Sequence, residues 1–321
     1  MTQAYVDANQ FASVWLKSRS MQEFKAAIGY TTNDDTSAFR RRRNVEKELG
    51  ITLPAFSDPR KGSFPVYQNV SVTCSKPTVF LIGSDRHNIP GDTPQAFMAF
   101  LHLASELKPD YIVINGDWFD FSAIGRFHRI GWQDRPAIST ELEDGVAKLK
   151  DVEKASPRSK RLFTLGNHDM RFDGKLSNCM PDLEGVEGCA LSHYLKKWQI
   201  GLSITVNDMF VIKHRWHGGQ HAAYNNALRS GKNIATGHTH HLKIEPWTDY
   251  NGIRYAIETG TLSDLWDETF IYTENNPSNW QPGCAVVTVD QNLIFPQVCP
   301  MVVDKHHSRW GKIHHNGKWY G

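Results

Sequence analysis

The chain has 321 residues, 40% hydrophobic and 22% charged, enough for one large globular domain or two unequal ones. A net charge of +2 with histidine neutral announces no polyanionic partner through its overall field, and no apolar run approaches the about 18 residues that span a membrane. The opening MTQAYVDANQ lacks a secretion pattern, and five scattered cysteines without CxxC spacing read as reduced packing residues, so a cytoplasmic location is expected.

Residues 1–57 read as a small helical domain. Ser20-x-x-Glu23 is a capping box, the helix runs through Phe24, Ala26, Ala27 and Ile28, and Gly29 suits its end. After the polar turn TTNDD, a second helix carries Phe39, Arg40, Arg41, Arg42, Arg43, Val45 and Leu49, and stops at Gly50. Helix, short turn and basic helix is the order of a helix-turn-helix, which makes Arg40, Arg41, Arg42 and Arg43 candidate DNA contacts. The alternative is a solvated arginine face diluted by Glu23, Asp34, Asp35, Glu46 and Glu48.

Residues 58–77 contain Pro and Gly without a helical period and read as a linker. From 78 to 305, apolar strands alternate with amphipathic helices, as in TVFLIGSD, PQAFMAFLHLASEL, YIVINGD, ELEDGVAKLKDVEKA and LFTLGNHD. That alternation predicts an α/β fold, a sheet with helices on its faces. The tail, 306–321, is basic and aromatic without acids and reads as a loose terminus or a nucleic-acid contact.

Fifteen histidines are the outlier of the composition. Several fall where strands end: Asp85-Arg86-His87, Gly116-Asp117-Trp118-Phe119-Asp120, Gly166-Asn167-His168-Asp169, His214 after MFVIK, and Gly237-His238-Thr239-His240-His241. Carboxyl-terminal strand ends in an open α/β sheet share one crevice, so residues distant in sequence can meet there. A single Asp after a strand reads as a helix cap and a single His-x-His as coincidence. Five such endings in one chain point to a metal centre.

The ordered set D-x-H, GD-x-x-D, GNH(D/E), a strand-terminal His and GH-x-H resembles the calcineurin-like metallophosphoesterases. The resemblance covers about residues 78–305 and implies a four-layer α-β-β-α sandwich with two divalent metal ions. It implies that Asp85, His87 and His240 hold one metal, that Asn167, His214 and His238 hold the other, and that Asp117 bridges them. It also implies that His168 is a general acid oriented by Asp120. Mixed nitrogen and oxygen donors suit Mn²⁺ first, with Fe or Zn²⁺ as alternatives. In HRWHGG either His214 or His217 could be the strand-end ligand. His214 directly follows the apolar run and is preferred, leaving His217 as a substrate contact.

The resemblance leaves the phosphoester open. GDWFDF places Phe121 and Ser122 where phosphoprotein phosphatases of the family carry Arg-Gly, which argues against a phosphoprotein substrate. The patterns GDWFDFSAIGRF, GNHDMRF and NWQPG resemble phage and bacterial members linked to DNA metabolism. Together with the arginine helix they point to a phosphodiesterase or nuclease acting on DNA, with Arg126, His128 and Arg171 as candidate phosphate contacts. The competing readings are a phosphomonoesterase or small-nucleotide phosphodiesterase, and a DNA-binding protein on an inactive scaffold.

Overall fold

A computed structural model describes residues 6–18, 20–30, 36–51, 53, 67–132, 135–274, 276–302 and 311–320. The chain divides into two compact units, Met1–Pro65 and Val66–Gly321.

The first unit contains helices α1 (Ala8–Lys17), α2 (Met21–Ile28) and α3 (Thr36–Leu49). The Asp7 side chain caps α1 by accepting from the Gln10 N–H, and Ser20 caps α2 by accepting from the Glu23 N–H. Gly29 closes α2 in the left-handed conformation, at φ 78°. Phe11 and Trp15 of α1 pack with Phe24 of α2 and with Ala38 and Val45 of α3. Helix α1 adds to the two helices expected from sequence. The expected turn TTNDD lies outside the described residues.

The four arginines of α3 do not form one solvated row. The Arg42 guanidinium lies 5.3 Å from the Trp15 ring centroid, and its Nε donates to Glu46 Oε1 at 2.9 Å. It also donates to the Leu53 carbonyl, while Arg41 donates to the Val6 carbonyl at 3.3 Å. Arg41 and Arg42 are thus half-buried and tied to their own helical unit. Arg40 and Arg43 are exposed.

The second unit is built on strands β1 (Val70–Val72), β2 (Thr78–Gly83), β3 (Tyr111–Asn115), β4 (Lys160–Thr164) and β5 (Gln199–Gly201). Then come β6 (Ile204–Val206), β7 (Phe210–Ile212), β8 (Asn233–Thr236), β9 (Leu242–Asp249) and β10 (Gly252–Thr259). The last four are β11 (Gly283–Asp290), β12 (Leu293–Val302), β13 (Lys312–His315) and β14 (Lys318–Tyr320). Its helices are α4 (Gln95–Leu107), α5 (Ile138–Ala155), α6 (Met170–Cys179) and α7 (Ala222–Ser230). One sheet has eight strands, in the order β14-β13-β12-β11-β2-β3-β4-β5, and the other has six, in the order β1-β6-β7-β8-β10-β9.

Strand alternation builds the layers. Phe80, Ile82, Val113 and Leu162 of the larger sheet meet Val206, Phe210, Ile212, Ala235 and Ile257 of the smaller one in a core between the sheets. Leu81, Ile112, Ile114 and Phe163 face the other way, onto Phe97, Phe100 and Leu103 of α4 and Leu142, Leu149 and Val152 of α5. On the outer face of the smaller sheet, Ile234 and Ala256 meet Ala223 and Ala227 of α7. The result is the expected α-β-β-α sandwich.

Two boundaries differ from the sequence reading. Part of the expected linker 58–77 is the strand β1, paired in parallel with β6, while residues 58–66 lie outside the described set. Residues 312–320 of the expected tail form a hairpin that extends the larger sheet from β12, with Ile313 fully buried, so this part is not loose.

Candidate metal centre

Strands β2, β3 and β4 run parallel, as do β7 and β8, and the loops at their carboxyl ends converge. The backbone there is unusual. Asp85, His87, Asp117, His238 and His240 all have positive φ, between 47° and 71°. Such conformations cost free energy for residues with a Cβ, and they turn these side chains into the crevice instead of continuing the strands. The cross-loop hydrogen bonds Asp85 N–H to Gly116 O (3.0 Å) and His87 N–H to Asp117 O (3.1 Å) hold the first two loops together. Glycine permits the close approach. A Cβ on Gly166 would lie 2.1 Å from Asp117 Oδ1.

Two groups result. Asp85, His87 and His240 are all buried, and each offers a ligand atom within 4.8 Å of the others. His240 Nε2 lies 3.2 Å from Asp85 Oδ1 and 3.3 Å from His87 Nε2. Asp117, His214 and His238 form the second group, with His214 Nε2 3.1 Å from Asp117 Oδ2. The His238 N–H donates to both Asp85 carboxylate oxygens, at 3.1 and 2.9 Å, which ties the second group to the first. His214 Nδ1 donates to the Asn115 carbonyl at 2.8 Å, which fixes the tautomer and leaves Nε2 free to ligate.

The donor atoms fit metal ions. Asn167 Oδ1 is buried with no hydrogen-bond partner. Buried polar atoms without partners are rare, and an acceptor oxygen of this kind suits a cation. Burial lowers the pKa of His87 and of His238, favouring the neutral ring that a metal takes. His214 behaves differently. Burial works against its charge, but Asp117 and Asp85 overcome that and push its pKa up to about 9, so a cation in this group would displace a proton.

A third group, His87, Asp120 and His168, adjoins the first. Asp120 Oδ1 accepts from His168 Nδ1 at 2.8 Å and lies 3.2 Å from His87 Nδ1, so one carboxylate orients two rings. Burial opposes ionisation of Asp120, but the hydrogen bonds from His168 and His87 hold its pKa well below the ordinary range. For His168, burial favours the neutral ring, yet the bond to Asp120 and the charge of Asp117 raise its pKa overall. Arg171 donates to the Asp120 carbonyl at 2.7 Å and to His168 Nε2 at 3.0 Å.

Two further buried acids support the loop between β3 and α5. Glu141 of α5 accepts from the Asp120 and Phe121 N–H groups at 2.7 and 2.8 Å, and burial raises its pKa to about 8. Asp169 accepts from the Trp118, Phe119 and Gly166 N–H groups at 3.1, 3.0 and 2.9 Å. Burial, then the Asp117 charge, raises its pKa to about 7. Together they lock the loop that presents Asp117 and Asp120. Asp169 was legible as the last residue of GNHD; Glu141 carries no signal beyond ordinary helix amphipathicity.

The remaining candidates separate. His217 belongs to none of the three groups; its N–H donates to buried Asn226 at 3.1 Å, so His214 is the ring placed at the centre. Arg126 and His128 are exposed, with Arg126 over the Phe127 ring at 4.9 Å. Phe121 is fully buried and stacks on Phe119 at 4.9 Å.

Residues 78–288 match the family described as Calcineurin-like phosphoesterase. The Gene 54 proteins of Mycobacterium phages L5 and D29 are each 25% identical to this chain, over 233 and 240 residues, covering 67% of this chain and 90% of theirs. Among solved structures, the phosphoesterase Yfce from E. coli is similar at 14% identity and TM-score 0.32, covering 67% of this chain and 90% of that one. Vacuolar Protein Sorting 29 from Cryptosporidium parvum is similar at 12% identity and TM-score 0.36, covering 76% of this chain and 95% of that one.

Proposed function

The chain belongs to the calcineurin-like phosphoesterase family, and we propose that it is a dinuclear metal-dependent phosphodiesterase acting on nucleic acid. The observation that carries the reading is the pair of buried groups, Asp85-His87-His240 and Asp117-His214-His238, with the unpartnered Asn167 oxygen beside them. Asp85, His87 and His240 would hold one ion and Asn167, His214 and His238 the other, with Asp117 shared between them. Ions bound there supply an activated water and charge neutralisation for in-line displacement at phosphorus. Mn²⁺ is the first expectation for this mixed donor set.

The chain's own residues supply the rest. His168, with its pKa raised and Nδ1 bonded to Asp120, is positioned to give the Nε2 proton to the leaving oxygen. Arg171 donates to that same Nε2, and two donors cannot share it. A substrate phosphate that draws the guanidinium away would free Nε2 to carry its proton, which makes Arg171 the candidate phosphate contact nearest the acid.

A diester of nucleic acid is favoured over a phosphoprotein by buried, stacked Phe121 and by exposed Arg40 and Arg43 in the helical unit. The test is metal-reconstituted hydrolysis of bis-p-nitrophenyl phosphate, p-nitrophenyl phosphate, and single- and double-stranded DNA side by side. Diester and DNA cleavage is expected. Hydrolysis of the monoester alone would return the substrate to phosphomonoesters.

A further inference from the structure

Two loops leave the centre carrying cations and exposed aromatic rings together. The first, residues 125–132 (GRFHRIGW), follows Asp120 and contains Arg126, His128 and Arg129 without an acid. Its Phe127 is 63% exposed and its Trp132 fully exposed, at 103%. Its root touches the acid machinery, since a Cβ on Gly125 would lie 3.3 Å from the Arg171 guanidinium, which bonds His168. The second, residues 213–221 (KHRWHGGQH), contains His214 itself, with Lys213 and Arg215 and again no acid. Its Trp216 is 44% exposed, with Lys213 6.0 Å from the ring centroid.

Exposed rings with cations between them match a polyanion that also carries flat rings: the cations attract its phosphates, and the ring faces offer it stacking surface. In a duplex the base faces are stacked on one another and the rings would have nothing to cover. In a single strand every base has a free face, and aromatic–cationic surfaces of this kind bind such strands by stacking along a charged track. The third rim points the same way by contrast. The segment that packs Phe270 on His87 and His240 carries Asp264, Asp267 and Glu274, which repel phosphates.

We propose that loops 125–132 and 213–221 form a binding track for a single-stranded nucleic acid, whose bases stack on Trp132, Phe127 and Trp216 and whose phosphates pair with the intervening cations. The proposal rests on the phosphodiesterase reading for the direction of the strand through the centre, and its binding test stands apart from turnover. Binding of an oligothymidylate strand and of a duplex is measured by tryptophan fluorescence on chelator-treated full-length protein, across a salt series. The strand is expected to bind more tightly than the duplex. Trp132→Ala and Trp216→Ala should each weaken strand binding about 5- to 150-fold, the loss of one base–aromatic stack. Trp132→Phe should recover most of that loss, because a ring is restored. Equal binding of duplex and strand, or unchanged affinity in both alanine variants, overturns the proposal. Hydrolysis of bis-p-nitrophenyl phosphate by reconstituted wild type separates the two readings: turnover without strand binding sinks the track alone, and strand binding without turnover sinks the enzymatic reading alone.

Discussion

Gly166→Ala should disable the centre without replacing any ligand. A Cβ at this position would lie 2.1 Å from Asp117 Oδ1 and 2.2 Å from the Asp117 backbone nitrogen. Because one contact is backbone, rotating the carboxylate cannot relieve it. Restoring a van der Waals separation of about 3.5 Å requires Asp117 and its loop to retreat by about 1 Å or more. That retreat breaks the 2.8 Å bond from the His168 N–H and the 3.1 Å approach to His214. A misplacement of about 1 Å at reacting groups costs about 10²-fold in rate, and overpacking costs about 1–3 kcal/mol in stability. The assay is bis-p-nitrophenyl phosphate hydrolysis after reconstitution, with elemental analysis and a thermal melt on the same sample. Gly174→Ala in α6 is the control. Nothing lies within 4 Å of its Cβ, so activity should be unchanged and stability should rise by about 0.5–1 kcal/mol. Wild-type rate and metal content in Gly166→Ala would refute the reasoning.

His168→Ala should retain its metal yet lose about 10²–10⁴-fold in kcat, with less loss on leaving groups that need no proton. As an acid of raised pKa, His168 gives a rate that falls as pH rises past the ordinary histidine range, and the variant should lack that alkaline limb. Glu141 binds its proton more tightly folded than unfolded, so stability should fall as pH rises from the ordinary glutamate range toward about 8. Glu141→Gln should remove that slope in melts across the series. In the helical unit, Arg42→Ala should lower the melting temperature by breaking the Trp15 and Glu46 contacts, whereas Arg40→Ala with Arg43→Ala should not. If those two exposed arginines contact DNA phosphates, the double variant should flatten the slope of log K against log salt by up to about 2.

Strands β2, β3 and β4 were legible because each is a short apolar run that stops on Gly or a polar cluster, and the residues at those stops are the ones the fold brings together. Smaller elements were not. The strand Val70–Val72 has only three residues, too few to show a period, and its place is set by β6 far along the chain. Helix α1 had a readable signal in Ala8, Phe11, Ala12 and Trp15 at helical spacing behind the Asp7 cap. The C-terminal hairpin turns on Asn316-Gly317, both with positive φ, and that dipeptide is a strong two-residue turn signal in the sequence itself. The arginine run shows the limit of pattern reading. Four consecutive cations look alike in sequence, but the turn of the helix sends Arg42 onto Trp15 and leaves Arg40 and Arg43 outside.

The dinuclear centre is tested most directly by counting metal in wild type and in Asp117→Asn after chelation and reconstitution, with diester hydrolysis followed on the same samples. Wild type should bind two ions per chain and recover activity with them, and Asp117→Asn should lose several orders of magnitude in rate. Full hydrolysis by exhaustively chelated protein, or by the Asp117→Asn variant, would contradict the assignment.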